Sequence, residues 1–77
     1  MQEFRIMIHS FQDMEQFVSL AIGQPFEVTV ASCGKHSNGK NYMGMSTLDF
    51  SEPLQVLVDC TDAELDRFRR EVAAFLI

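Results

Sequence analysis

Apolar residues in this chain recur with two different periods, and the order in which those periods follow one another limits the folds open to it. Phe4, Ile6 and Ile8 alternate with Arg5, Met7 and His9. Phe26, Val28 and Val30 alternate with Glu27, Thr29 and Ala31, and Leu54, Val56 and Val58 with Gln55, Leu57 and Asp59. Period two sends successive side chains to opposite faces, so these runs predict strands over about 3–9, 26–32 and 54–60, each with one buried face. Between the first two, Phe11, Met14, Phe17, Val18, Ala21 and Ile22 fall at helical spacing. A helix over about 11–22 follows, with Ser10 as N-cap and Asp13 completing a shortened capping box. Gly23 suits its end, and Pro25 cannot continue it.

Ser32-Cys33-Gly34-Lys35-His36-Ser37-Asn38-Gly39 is rich in turn formers. It predicts a reversal into a short third strand near Lys40–Tyr42, with part of the turn-rich stretch itself able to pair, and Met43–Leu48 forming a single helical turn. After the last strand Thr61 is an N-cap, and Leu65, Phe68, Val72, Phe75 and Leu76 share one stripe, predicting an amphipathic helix from Asp62 to about Leu76. The order is β-α-β-β-α-β-α. Its simplest packing is an α+β open-faced β-sandwich, a four-stranded antiparallel sheet with the helices on one face. With 77 residues and no repeat, linker or low-complexity tract, residues 1–77 read as a single domain.

The formal net charge of −5 leaves too few cations to neutralise a run of phosphates, so binding to nucleic acid or to an anionic membrane is not expected, and a charged partner should be basic. Glu3, Arg5, His9 and Asp13 interrupt the N-terminal apolar residues, which argues against a signal peptide or a membrane span and for a cytoplasmic protein. Cys33 and Cys60 lack the close spacing of a zinc or redox pair. On antiparallel strands they would lie about 20 Å apart, at ~3.3 Å per residue, beyond disulfide reach. His36 beside Cys33 supplies two ligands where zinc takes three or four, so no metal is expected. No phosphate loop, Ser-His-Asp set or carboxylate pair is present, so neither enzymatic activity nor a cofactor is expected.

The stretch Gly39-Lys40-Asn41-Tyr42-Met43-Gly44-Met45-Ser46-Thr47-Leu48, together with the order of elements, resembles the HPr family of phosphocarrier proteins of the bacterial sugar phosphotransferase system. Lys40, Met43, Gly44 and Leu48 carry the likeness, and nearly the whole chain can be laid on the family. The resemblance implies the open-faced sandwich with the first and fourth strands adjacent. In the family a histidine at the start of the first helix accepts phosphate from enzyme I and passes it on, assisted by an arginine two residues later. Gln12 falls at the histidine position here, Met14 at the arginine and Glu15 at the neighbouring proline. An amide has no nucleophilic nitrogen that forms a phosphoramidate, so the family chemistry is closed to Gln12. Asp13 and Glu15 near the helix N-terminus would in addition repel a phosphoryl group. The regulatory serine of many Gram-positive members falls on Asn41, which has no hydroxyl to phosphorylate but can still cap a helix.

Two readings remain. In one, the chain is a protein-binding or regulatory module related to the phosphotransferase system. Its docking surface would be built on the first and short helices from Phe11, Gln12, Tyr42, Met43 and Met45, methionine being suited to adaptable surfaces. In the other, it is an unorthodox phosphocarrier using His9, at the end of the first strand and just ahead of the helix. Alternation also puts Met7 and Leu57 on the uncovered sheet face, where adjacent strands would make them neighbours that could seed a weak homodimer; otherwise the chain is expected to be a monomer.

Overall fold

The computed structural model describes residues 2–77. Strand β1 (Gln2–Ile6) leads to helix α1 (Phe11–Ile22), then to strands β2 (Val28–Ser32) and β3 (Lys35–Asn38). Helix α2 (Tyr42–Met45), strand β4 (Leu54–Val58), helix α3 (Asp62–Glu71) and a 3₁₀ turn over Ala73–Phe75 complete the order. The strands form one antiparallel sheet in the order β1-β4-β2-β3. The fold class is therefore the expected α+β sandwich with an open sheet.

Strand alternation sorts the side chains as the hydrophobic pattern requires. Ile6, Val28, Val30, Leu54, Val56 and Val58 are buried together with Met14, Phe17, Val18 and Ala21 of α1, Met45 and Leu48 around α2, and Phe68, Val72 and Phe75. Phe68 is the aromatic centre. Its ring centroid lies 5.8 Å from Phe4 and 5.7 Å from Phe26, both edge to face, and 6.1 Å from Phe17. The opposite sheet face carries two cross-strand rows, Arg5–Gln55–Ala31–His36 and Glu3–Leu57–Thr29–Asn38.

That register removes the expected apolar pair. Leu57 stands between Glu3 and Thr29, while Met7 lies beyond the end of β1, where its amide donates to the Phe75 carbonyl at 2.8 Å. β1 stops at Ile6 rather than running to His9, because the chain there turns to pair with the segment after α3. Ile6 bridges Leu76, and the Ile77 amide donates to the Arg5 carbonyl at 3.3 Å. For the same reason the last helix ends earlier than its apolar stripe suggested. Leu76 is extended, and the Phe75–Ile77 segment pairs with the outer edge of β1 around Ile6, where the backbone groups would otherwise be unpaired.

The third strand also differs from the expectation: it is Lys35–Asn38, not Lys40–Tyr42. Cys33 (φ 47°) and Gly34 (φ 82°) both adopt left-handed backbone, and Ser32 pairs directly with Lys35. Two such residues make the tight turn whose twist matches that of the flanking strands, so the chain reverses within two residues instead of eight. His36 thereby leaves the loop and sits on the open sheet face opposite Ala31. The remaining boundaries move by a few residues: β2 begins at Val28 and β4 ends at Val58. Thr61 caps α3 in a full capping box, its Oγ1 accepting from the Glu64 amide at 3.2 Å while Glu64 Oε1 accepts from the Thr61 amide at 3.0 Å.

Candidate functional site

The start of α1 is built by short polar side chains that occupy the amides a helix end leaves over. Ser10 Oγ accepts from the Asp13 amide at 3.1 Å, and Asp13 Oδ2 accepts from the His9 amide at 3.2 Å. The Asp13 carboxylate thus folds back over the helix entrance. It is the acidic residue of the first turn; Glu15 lies farther along the helix and is exposed, so it does not belong to the entrance as expected. Gln12 is exposed on the first turn, and Met14 is fully buried, so neither position carries the imidazole or guanidinium that the resemblance implies there. His9 is exposed, with Nδ1 3.9 Å from Asp13 Oδ2.

The second part of the site is α2. Asn41, extended at φ −115°, turns its Oδ1 to the amides of Met43 at 3.0 Å and Gly44 at 3.2 Å. Two amides satisfied by one side chain start a helix of only four residues. The cap therefore carries the structural duty that sequence reasoning assigned to Asn41. α2 packs against α1 and β3. α2 comes close to β3 at Gly44, where an added Cβ would meet the Ser37 hydroxyl.

The residues proposed for docking separate into two groups. Phe11, Gln12, Tyr42 and Met43 are exposed, with Met43 82% accessible. Met45 is fully buried in the core and is no part of the surface, because the α2 turn that lifts Met43 outward points Met45 at the sheet. Ile22, at the far end of α1, is half exposed and was not singled out from the sequence, where its helical spacing read as core.

Gln24 joins these elements, and no periodicity signalled it. Its Nε2 donates to the Leu20 carbonyl at 3.0 Å and to Glu71 Oε2 at 2.7 Å, while its backbone carbonyl accepts from Lys40 Nζ at 2.8 Å. One buried amide residue therefore connects the end of α1 to α3 and to Lys40, just ahead of the α2 cap. The signal available in the sequence was a Gly-Gln-Pro stop after an apolar stripe, which marks a turn but not a hub.

The cysteines stand beyond opposite ends of β2 and β4 and are both free thiols. Burial, then the carboxylates of Glu64, Asp59 and Asp62, push the Cys60 thiol up from its ordinary range. Cys33 is exposed. Thiolate is the reactive form, so iodoacetamide at neutral pH is expected to label Cys33 well before Cys60, read by peptide mass. Equal rates would contradict the burial of Cys60. Among the described residues, no group of three or more His, Cys, Asp or Glu side chains is placed to hold a metal ion. No helix among them is long and apolar enough to cross a membrane.

Compared with known proteins, the chain matches no protein-family model, and no curated protein matches it in sequence.

Proposed function

We propose that the chain is an HPr-like protein-binding or regulatory module, connected with the sugar phosphotransferase system or its regulation, that acts by docking and does not carry phosphate by the family's histidine route. The observation that carries this reading is the start of α1, where an exposed Gln12 replaces a nucleophile and the Asp13 carboxylate folds over the helix end. A helix N-terminus attracts an anion by about 0.3–1 kcal/mol, and a resident carboxylate opposes a second one. The antiparallel sheet with β1 beside β4 accords with the fold that the resemblance implies. Exposed Phe11, Tyr42 and Met43 supply a surface suited to another protein in the cytoplasm.

The second reading, a phosphocarrier using His9, draws on one observation: the imidazole is exposed and stands beside Asp13, an arrangement in which a carboxylate can orient an acceptor nitrogen. Incubation with enzyme I and phosphoenolpyruvate, followed by intact mass, separates the two. The expected result is an unchanged mass. A gain of one acid-labile phosphoryl group that disappears in His9→Ala would replace docking by phosphotransfer.

A further inference from the structure

The chain has two asparagines, Asn38 and Asn41, and only the first is followed by glycine. An asparagine carboxamide lies within reach of the backbone nitrogen of the next residue, and glycine, having no Cβ, leaves that approach unobstructed and the backbone free to turn. Asparagine counts among the thermolabile residues for this reason. Asn41 is a poor site, since Tyr42 follows it and its Oδ1 is taken up by the Met43 and Gly44 amides.

Asn38 is the last residue of β3, at the opposite end from the Cys33–Gly34 turn, and its side chain is exposed on the open sheet face opposite Thr29. The nitrogen that would attack it is placed otherwise. Gly39 is buried, and its N–H donates to the Val28 carbonyl at 2.7 Å. Asn38 Oδ1 accepts from the Lys40 amide at 2.9 Å, in the local turn that asparagine side chains favour, and the Asn38 carbonyl accepts from the Asn41 amide at 3.0 Å. Ring closure must remove the Gly39 proton, bring that nitrogen onto Asn38 Cγ and rotate the backbone between the two residues. None of this is open to Gly39 while its N–H stays on Val28.

We infer that Asn38 is a deamidation site that the native fold keeps closed, reacting only when the end of β3 separates from β2. In the opened segment the Gly39 nitrogen gives its proton to a base and bonds to Asn38 Cγ. The Cγ–Nδ2 bond breaks, and the departing nitrogen takes up a proton and leaves as ammonia. Water then opens the five-membered imide. Cleavage at Cγ leaves aspartate on an unchanged backbone; cleavage at the Asn38 carbonyl carbon leaves isoaspartate, whose main chain runs through Cβ and is one methylene longer. The two products fit the fold differently. Aspartate keeps an oxygen for the Lys40 amide. Isoaspartate shifts Gly39 from its place beside Val28 and Val30, three residues ahead of the Asn41 cap that starts α2, so a chain that has opened and reacted does not rebuild the β3–α2 connection.

The test incubates the full chain in mildly alkaline buffer, native and in guanidinium chloride, and follows both asparagines by peptide mass, with isoaspartate-specific methyl transfer identifying the products. In guanidinium, Asn38 is expected to convert well ahead of Asn41. In native buffer its rate is expected to fall by at least about tenfold, because the opening of a paired strand end has its own free-energy cost. Amide exchange on the native chain should show the Gly39 N–H protected. After refolding, the isoaspartyl fraction should unfold at a lower denaturant concentration than the aspartyl fraction. Native conversion within about twofold of the unfolded rate, or free exchange of the Gly39 amide, overturns the closure. Failure of Asn38 to outpace Asn41 in guanidinium overturns the site itself, and equal midpoints of the two products overturn the damage to the β3–α2 connection.

Discussion

Phe68→Ala is expected to remove a large share of the folding stability at 25 °C. Phe68 is fully buried and its ring meets those of Phe4, Phe17 and Phe26, so one side chain of α3 ties together β1, α1 and the segment leading into β2. Truncating such a ring costs about 3–5 kcal/mol in lost transfer energy and residual cavity. A domain of this size holds only about 4–12 kcal/mol in total, at 0.05–0.15 kcal/mol per residue. Urea denaturation followed by circular dichroism gives the number. A loss below about 1.5 kcal/mol would mean that the surroundings collapse into the space and that Phe68 is not the centre of the core.

Gly39→Val should lower stability by about 2–3 kcal/mol, through crowding instead of a void. Gly39 is buried, its amide donates to the Val28 carbonyl at 2.7 Å, and a Cβ there would stand 2.7 Å from Val28 Cγ1 and 3.2 Å from Val30 Cγ2. Both valines belong to a central strand and have little room to move, since β-branched side chains are stiff at χ1. Gly44 differs in kind, because the atom in the way is the Ser37 hydroxyl, which can rotate aside. Retention of the wild-type urea midpoint by Gly39→Val would show that β2 yields where the packing says it cannot.

The sheet and the long helices were legible because each has a strict period and a chemical stop. Ser10 and Thr61 sit at helix starts where capping physics requires them, Gly23 ends α1 in right-handed backbone without the left-handed turn its glycine suggested, and Val28, Val30, Val56 and Val58 face one core. The bounds of the third strand were not legible beyond some pairing within the turn-rich stretch, since Lys-His-Ser-Asn has no apolar alternation and its turn begins with a cysteine in left-handed backbone, a conformation that residue seldom takes. The end of the last helix was misread for a related reason: Phe75 and Leu76 continue the apolar stripe, but Leu76 is more useful bridging Ile6 than extending α3.

At the candidate site, residue type was informative and exposure was not. The missing imidazole at Gln12 and the capping role of Asn41 follow from side-chain chemistry alone. Met43 and Met45 are two positions apart on a four-residue helix, and only the packing of α2 against α1 and β3 decides that the first is exposed and the second buried. Gln24 escaped notice because a hub of hydrogen bonds between distant segments leaves no local pattern.

The covering of β1 by Leu76 and Ile77 sets a schedule for folding on the ribosome. β1 is made first, yet its neighbours in the sheet are β4 on one side and the Leu76–Ile77 segment on the other. While α1, β2 and β3 emerge, the hairpin of β2 and β3 can close locally, but β1 has no strand to pair with until residues 54–58 are synthesised. The outer edge around Ile6 stays open for longer still, until Leu76 and Ile77 have left the exit tunnel. Nascent chains arrested short of that point would therefore display an unprotected strand, and their aggregation during translation should fall once the Leu76–Ile77 seal is in reach.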